Sequence, residues 1–336
     1  MDLSGATLVL AALIGVALVF DFLNGFHDAA NSVATIVATR VLPARWAILW
    51  AAFFNFIAFM VLGLKVAKTI GSGIILPSIV DDRVIFGALA GAICWNIITW
   101  LRGIPSSSSH ALVGGLLGAG FAKAGPSVMV WSGVSKTLFA IVLSPALGFT
   151  LGLLLMLLVA WLFVRSSPKH ADKVFRGLQL VSAALYSLGH GANDAQKTMG
   201  IIAVLLYAHG ITHGTGFHVP FWVVLACQAA MGIGTLFGGW RIIKTMGTGI
   251  TRLSPQQGFC ASAGGAITLF LATEMGVPVS TTHTITGAIM GVGAARRVSA
   301  VRWGVAQGIV FAWVVTIPAA GLIAATGYAL SGLFLK

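Results

Sequence analysis

The sequence predicts an all-α, polytopic membrane protein made of two inverted-topology repeats with broken or re-entrant helix hairpins. Three observations predict this fold: the composition, a set of paired motifs, and apolar segments that are interrupted at matching places. Of the 336 residues, 58% are hydrophobic and only 8% are charged, and the mean hydropathy is +0.97. Soluble globular chains carry about 25% charged residues, so this composition indicates a chain that lies in a lipid bilayer.

The first half is expected to hold six helical segments, chosen as apolar windows that can cross about 30 Å of hydrocarbon or part of it. The first segment lacks a preceding basic stretch, so it is interpreted as a retained helix and not as a signal peptide. The fourth and fifth are separated by a turn around Pro105 and therefore predict a re-entrant hairpin. The predicted segments are 3–23, a short piece at 27–38, 46–64, 84–101, 111–121 and 134–164.

A hydrophilic linker at 165–176 separates a first repeat, 1–164, from a second repeat, 177–336. The formal net charge of +12 does not predict a nucleic-acid partner, because Lys and Arg lie singly or in short groups between apolar spans. That arrangement is typical of the cytoplasmic loops of membrane proteins. We therefore expect the linker to be cytoplasmic.

The order of motifs recurs after the linker. The stretch around Asp28 (GFHDAANS) returns 166 residues later around Asp194 (GANDAQKT). The stretch 68–74 (KTIGSGI) returns at 244–250 (KTMGTGI), and 103–110 (GIPSSSSH) returns at 276–283 (GVPVSTTH). Three matches in the same order predict an internal duplication, and interrupted segments at corresponding places in both halves indicate a transporter's binding site.

Basic residues suggest that the two repeats insert in opposite senses. The loop after the first motif carries Arg40 and Arg45, whereas the corresponding loop of the second half carries His209, His213 and His218 and no Lys or Arg. Lys336 falls with the residues assigned to the outer side. Corresponding loops of opposite character predict an inverted repeat.

Two Ser/Thr-rich turns each precede a short apolar segment. Ser and Thr are favoured helix N-caps, and a helix N-terminus offers free N–H groups and about half a positive charge. Two such termini meeting at the membrane midplane would bind a tetrahedral oxyanion, although the hydroxyls could instead bond back to their own helices. The candidate anion-binding residues are Ser106, Ser107, Ser108, Ser109, Ser280, Thr281, Thr282 and Lys197, the last of which could equally pair with an aspartate.

Asp28 and Asp194 are carboxylates within apolar segments, where ionisable groups are costly and mark function. Beside an oxyanion they require an intervening cation, which is either a proton on the carboxylate or Na⁺ held by its oxygens. Asn31, Asn193 and Gln196 would complete this cation-coupling shell. His27, His110 and His283 are assigned a supporting role that orients the turns. The competing interpretation is two polar clusters that only hold helices together.

These residues resemble the inorganic phosphate transporter (PiT) family, whose duplicated signature reads G-A-N-D-x-A-N. The second copy here opens as the signature does but has Gln196 and Lys197 at its end, and the first copy ends as expected but has Phe26 and His27 in place of Ala-Asn. Both variants are similar to those of bacterial members of the low-affinity permease type. The Pro-x-Ser-Ser/Thr-x-His turns match as well, so the resemblance covers nearly the whole chain.

The resemblance implies a multi-pass, homodimeric importer of inorganic phosphate in the cell (plasma or inner) membrane, coupled to H⁺ or Na⁺. The bacterial-type motifs favour H⁺, and some members of that type take up metal–phosphate complexes. The implied roles are phosphate binding by the two turns and cation coupling, including a Na⁺ site, at Asp28 and Asp194. No cofactor is implied.

Three other functions were weighed. A sulfate permease would use the same scaffold and differ only in its anion. A passive anion channel would need no coupling carboxylates, so Asp28 and Asp194 count against it. An intramembrane enzyme is disfavoured because no nucleophile–base pair of known spacing is present, and the three cysteines show no metal-ligand spacing.

Overall fold

The computed structural model describes residues 5–212 and 217–335, and these residues form twelve α-helices, which confirms the all-α prediction. His213 and Lys336, used in the sidedness argument, lie outside the described residues, as do the first residues of the predicted segment 3–23. The first six helices are α1 (Gly5–Thr39), α2 (Ala44–Phe56), α3 (Lys65–Gly73), α4 (Asp82–Arg102), α5 (Ser108–Ala124) and α6 (Trp131–Leu162). The next six are α7 (Pro168–Ala208), α8 (Phe221–Phe237), α9 (Trp240–Lys244), α10 (Pro255–Glu274), α11 (Thr281–Arg296) and α12 (Trp303–Ser331).

Within the described residues, four helices are long and apolar enough to cross a membrane: α1, α4, α6 and α12. Two further spans are broken. The helical stretch that contains α2 meets α3 at an angle of 80°, and α8 meets the stretch that begins with α9 at 65°. These breaks lie at corresponding places in the two halves, whereas the sequence predicts its interruptions at the two Ser/Thr-rich turns and one continuous segment over 46–64. The opposite insertion of the halves and the boundaries at 164 and 177 stay predictions.

The predicted break before the first motif is wrong, because α1 runs unbroken from Gly5 to Thr39. Gly25 explains why the helix can continue through this polar stretch. A Cβ on Gly25 would lie 2.1 Å from the carbonyl oxygen of Met231, so the glycine lets α1 pack directly against the backbone of α8. The polar side chains that follow are buried against other helices instead of ending α1.

Each helix hairpin packs against the last helix of the other half. The hairpin α4–α5 packs on α12, and the hairpin α10–α11 packs on α6. Small residues allow the close approach: a Cβ on Gly118 of α5 would lie 2.1 Å from the Gly321 oxygen, and one on Gly291 of α11 would lie 2.1 Å from the Phe149 oxygen. The two halves are therefore interlocked.

The outer faces of α6 and α12 are apolar and exposed, as for helices in contact with lipid. Phe139 and Val142 on α6, and Phe311 and Leu322 on α12, are each at least 66% exposed. The hydrophilic stretch 165–176 lies between the halves and is mostly helical, because α7 begins at Pro168 with Ser167 as its N-cap. From there α7 runs inward and packs against α1, so the two motif-bearing helices meet inside the molecule.

Candidate functional site

Helices α1 and α7 bring the two motif aspartates together. Asp28 and Asp194 are at most 2% exposed, and each has an oxygen within 4.8 Å of the other and of a ring nitrogen of His190. His190 was not predicted as a site residue. Its signal in the sequence was its position four residues before Asp194, which places both side chains on one face of α7. These three groups could hold a cation between them.

The two Ser/Thr-rich turns have the same local structure. The last residues of α4 and α10 are followed closely by Gly103 and Gly276, whose φ angles of +66° and +67° are ones that glycine adopts without strain. After each following proline, a serine caps the next helix. Ser107 accepts a hydrogen bond from the His110 N–H, and Ser280 accepts one from the His283 N–H, both at 3.2 Å.

The capping leaves the first backbone donors of both helices available. The first N–H groups of a helix have no acceptor within that helix, and here they belong to Ser108 and Ser109 on α5 and to Thr281 and Thr282 on α11. Ser108 Oγ has no hydrogen-bond partner among the described residues and is fully buried. This arrangement provides backbone and hydroxyl donors at two helix N-termini.

The two N-termini meet directly. Ser109 Oγ donates to the Val279 carbonyl at 3.4 Å, and the His110 and His283 rings lie edge to face with centroids 4.4 Å apart. His283 also stacks on Trp313 at 3.7 Å. The His110 and His283 rings therefore contact each other where the two helix N-termini meet. The supporting role of these histidines stays a prediction.

The second turn is bonded to both aspartates. Thr281 Oγ1 donates to Asp194 at 3.1 Å, and Thr282 Oγ1 lies 3.5 Å from Asp28. Asn31 Nδ2 donates to both hydroxyls, at 3.2 and 2.9 Å. The carboxylates, the amide and the turn thus form one network, as the prediction of a shared site requires.

Lys197 lies between the two turns. Its ammonium donates to Asp194, to Ser109 Oγ and, at 2.9 Å, to the Val279 carbonyl. The side chain is 1% exposed. An ammonium has three N–H donors, and all three are taken, so in this conformation Lys197 pairs with an aspartate and joins the turns.

His27 links the first aspartate to the first turn. Its Nδ1 lies 2.8 Å from Asp28 Oδ1, and its Nε2 lies 3.1 Å from Thr99 Oγ1 and 3.5 Å from Ser106 Oγ. Ser106 in turn donates to Thr99 at 2.9 Å. Each aspartate therefore has its own nitrogen-bearing neighbour, an imidazole for Asp28 and an ammonium for Asp194.

Asn193 and Gln196 are predicted as part of the coupling shell, but the hydrogen bonds of their side chains go to groups other than the two aspartates. Asn193 Nδ2 donates to Thr273 at 3.0 Å and to the Val277 carbonyl at 3.3 Å, so it holds the second turn. Gln196 Oε1 accepts from the Val66 N–H at 2.9 Å, and its Nε2 donates to the Gly63 carbonyl at 2.7 Å. It therefore fixes the start of α3.

The remaining repeated motif supports the turns from the opposite half. Thr69 on α3 donates to the Gly276 carbonyl at 2.7 Å, and Thr245 donates to the Gly103 carbonyl at 3.0 Å. The first half thus supports the second turn, and the second half supports the first. The sequence matches had identified these residues without showing what they contact.

The residues of the cluster are buried. Every predicted anion-binding and coupling residue is at most 4% exposed. Tyr186, which sequence reasoning missed, donates to the Thr281 carbonyl at 2.9 Å. The structure thus combines two aspartates, one ammonium, four imidazoles and two helix N-termini in a buried, polar site.

Comparison with known proteins gives a consistent result. The model of the phosphate transporter family matches residues 24–324. The chain is 68% identical to a "probable low-affinity inorganic phosphate transporter" of Rhizobium meliloti, over 98% of both chains. It is 46% identical to a protein of the same name from Bacillus subtilis, over 96% of this chain and 97% of that one. A solved structure named "The sodium-dependent phosphate transporter" matches at 26% identity with a TM-score of 0.89, covering 98% of this chain and all of that one.

Removal of either partner of the Lys197–Asp194 pair should destabilise the protein. Lys197→Gln leaves a buried carboxylate uncompensated, and Asp194→Asn leaves a buried ammonium, each at a cost of about 3–5 kcal/mol. The double variant should be more stable than the sum of the single effects predicts. Thermal unfolding in detergent measures this coupling.

The ion pair Lys65–Glu274 is the matched control. Its Nζ and Oε2 atoms are 2.7 Å apart, but both side chains are more than half exposed. A cycle of Lys65→Gln and Glu274→Gln should give a coupling of about 0–1 kcal/mol. Additive effects at Lys197 and Asp194 would show that the buried pair is not an energetic unit.

Proposed function

The chain belongs to the phosphate transporter family, and from this we propose that it is a secondary-active symporter that imports inorganic phosphate with a coupling cation. It is a membrane protein and not an enzyme, since its relatives are phosphate transporters. We place it in the plasma or inner membrane as a multi-pass homodimer. The observation that carries the proposal is the convergence of two buried aspartates and two helix N-termini on one site.

The two turns are the proposed phosphate site. Phosphate oxygens suit helix N-termini, where backbone N–H groups point outward and the helix dipole favours negative charge. Ser108 and Thr281 stand at matched positions of the two turns, and Ser108 Oγ has no partner among the described residues. We assign phosphate binding to Ser106–Ser109 and to Ser280–Thr282, with Lys197 exchanging one of its partners for a phosphate oxygen.

A charge count supports cation coupling. With neutral imidazoles, Asp28, Asp194 and Lys197 sum to −1, and a divalent phosphate would bring the buried site to −3. Such a charge is costly in a low-dielectric interior. Phosphate can therefore enter this site only together with cations, which is symport.

We favour H⁺ as the coupling ion. Lys197 already supplies a cation to Asp194, which leaves Asp28 with its partner His27 as the exchangeable acid. The His27 Nδ1 lies 2.8 Å from Asp28 Oδ1, so the two groups can share one proton. The solved relative is named as sodium-dependent, so Na⁺ at Asp28 and Asp194 is the alternative that the experiment must separate.

Alternating access is the proposed mechanism. The site residues are at most 4% exposed, as expected for an occluded state. Each hairpin packs on the last helix of the other half, so a rocking motion of interlocked units would expose the turns to one side at a time. A passive anion channel would need an open path through the site.

A second candidate is co-transport of a divalent metal with phosphate. Asp28, His190 and Asp194 offer one nitrogen and two oxygen atoms within 4.8 Å of one another. Three protein ligands with an open position suit a divalent metal such as Zn²⁺ or Mn²⁺, and phosphate oxygens would complete the shell. Imidazole is a poorer ligand for Na⁺, so His190 is the residue that favours this candidate.

Asp28→Asn should abolish concentrative uptake, because the neutral amide cannot carry the coupling cation. Uptake of ³²P-phosphate into proteoliposomes, with either a pH gradient or a Na⁺ gradient and with sulfate as competitor, should fall at least tenfold. Asp172→Asn, at an exposed position of α7, is the control and should transport normally. Full accumulation by Asp28→Asn would remove Asp28 from the coupling mechanism.

Ser108→Ala should weaken phosphate binding, because a hydrogen bond to a charged group contributes about 1.5–3 kcal/mol. We expect the KM for phosphate to rise about tenfold, and further when Thr281→Ala is added. Ser127→Ala, at an exposed serine outside the site, should leave KM unchanged. An unaltered KM in the double variant would exclude the turns from the phosphate site.

His190→Gln tests the metal candidate, since it removes the only nitrogen ligand of the three-residue cluster. Phosphate-dependent uptake of ⁶⁵Zn²⁺ should be lost, while uptake of phosphate in the presence of a chelator continues. Wild-type protein that moves no metal with phosphate, or a His190→Gln variant that moves it normally, would reject this function.

A further inference from the structure

A third buried acid, Asp21, lies on the same helix as Asp28 but outside every repeated motif. It precedes Asp28 by seven residues, which is two helical turns or about 10 Å along the axis of α1. Its side chain is 0% exposed. The corresponding position of the second half is Ser187, which is also buried, so the acid is present in one half only.

Among the described residues, neither Asp21 oxygen accepts a hydrogen bond of full geometry, although the neutral side chains of Asn24, Thr198 and Cys227 lie beside it. Two nearby buried oxygens, Asn24 Oδ1 and Thr198 Oγ1, likewise form no such bond within the described part of the chain. A buried carboxylate that has only neutral neighbours and no complete hydrogen bond is costly to keep ionised. The four oxygens therefore require a positively charged partner.

Among the described residues, the neighbours of Asp21 include no basic side chain that could be this partner. The polar side chains that act on Asp21 are Asn24 on α1, Thr198 on α7 and Cys227 on α8, and the titratable groups among its neighbours are Asp194 and Cys227. Both of these are acidic or neutral. Lys197 points to the other side of the site, towards Asp194 and Ser109.

We propose that Asp21 binds one monovalent cation, H⁺ or Na⁺, in each transport cycle, in addition to the cation at the central site. This inference rests on the proposed symport. A proton on Asp21 would donate to Asn24 Oδ1 and so satisfy two groups at once. Na⁺ would be held by the four oxygens of Asp21, Asn24 and Thr198.

A polar stripe connects this cation site with the central one. Asp21, Asn24, Asp28 and Asn31 follow one another at spacings of three, four and three residues, so they share one face of α1. All four are at most 2% exposed. The negative charge of Asp194 acts on Asp21, so occupation of the two sites is energetically linked, and by reciprocity each cation affects the other.

The test is the number of charges moved with each phosphate. Wild type and Asp21→Asn are reconstituted in proteoliposomes, and the membrane potential at which net phosphate flux is zero is measured at a fixed phosphate gradient. A pH gradient is imposed in one arm and a Na⁺ gradient in the other. Asp21→Asn should move one fewer charge per phosphate in the arm whose ion Asp21 binds, while still taking up phosphate.

Ser187→Ala is the matched control at the equivalent position of the second half. The number of charges that it moves per phosphate should equal that of wild type. If Asp21→Asn moves as many charges per phosphate as wild type under both the pH gradient and the Na⁺ gradient, the inference is overturned and the proposed function is unaffected. Wild type that fails to concentrate phosphate under either gradient would instead contradict the proposed function.

Thr198→Val provides a test that keeps the acid and covers the case in which Asp21→Asn does not fold. It removes one of the four oxygens, so the cation concentration for half-maximal uptake should rise severalfold in the same arm, with the phosphate KM unchanged. An unchanged cation dependence of Thr198→Val would also count against the site.

Discussion

The rest of the structure depends on one constraint: two carboxylates, Asp28 and Asp194, are buried within the membrane-spanning core and must be compensated there. A side-chain nitrogen contacts each of them: His27 Nδ1 contacts Asp28, and Lys197 Nζ contacts Asp194. Each aspartate also accepts a hydrogen bond from a threonine hydroxyl of the second turn. Because uncompensated charge is so costly in this environment, the positions of the turns, of Asn31 and of Lys197 are linked to the ionisation of the two acids.

The two turns are held in place by the opposite halves of the chain. Thr69 and Thr245 bond the carbonyls of Gly276 and Gly103 across the repeat boundary, and the hairpins pack on α12 and α6. A displacement of one half therefore moves the turn of the other. In a transporter this arrangement would couple the binding of an anion at the turns to a rearrangement of the whole molecule.

The departures from the family signature are chemically informative. His27 and Lys197 occupy places where the signature has Asn, and in the structure they are the groups in contact with the two aspartates. An ammonium fixed in the chain reduces the need for external cations, while an imidazole offers a site for a proton. The two substitutions therefore change the charge and hydrogen bonding around both aspartates.

The sequence by itself determined the all-α membrane fold, and it predicted a duplication and a set of candidate site residues, because composition, repeated motifs and capping serines are local signals. The boundaries of α6 were predicted within about three residues, whereas the break in α1 was predicted wrongly. The glycine contact that keeps α1 continuous involves α8, more than 200 residues away. Only the tertiary structure decided which polar groups meet. Within the described part of the chain, Gln196 contacts the start of α3, His190 lies beside the two aspartates, and Asp21 has no basic neighbour. These outcomes depend on contacts between distant helices that no local pattern encodes.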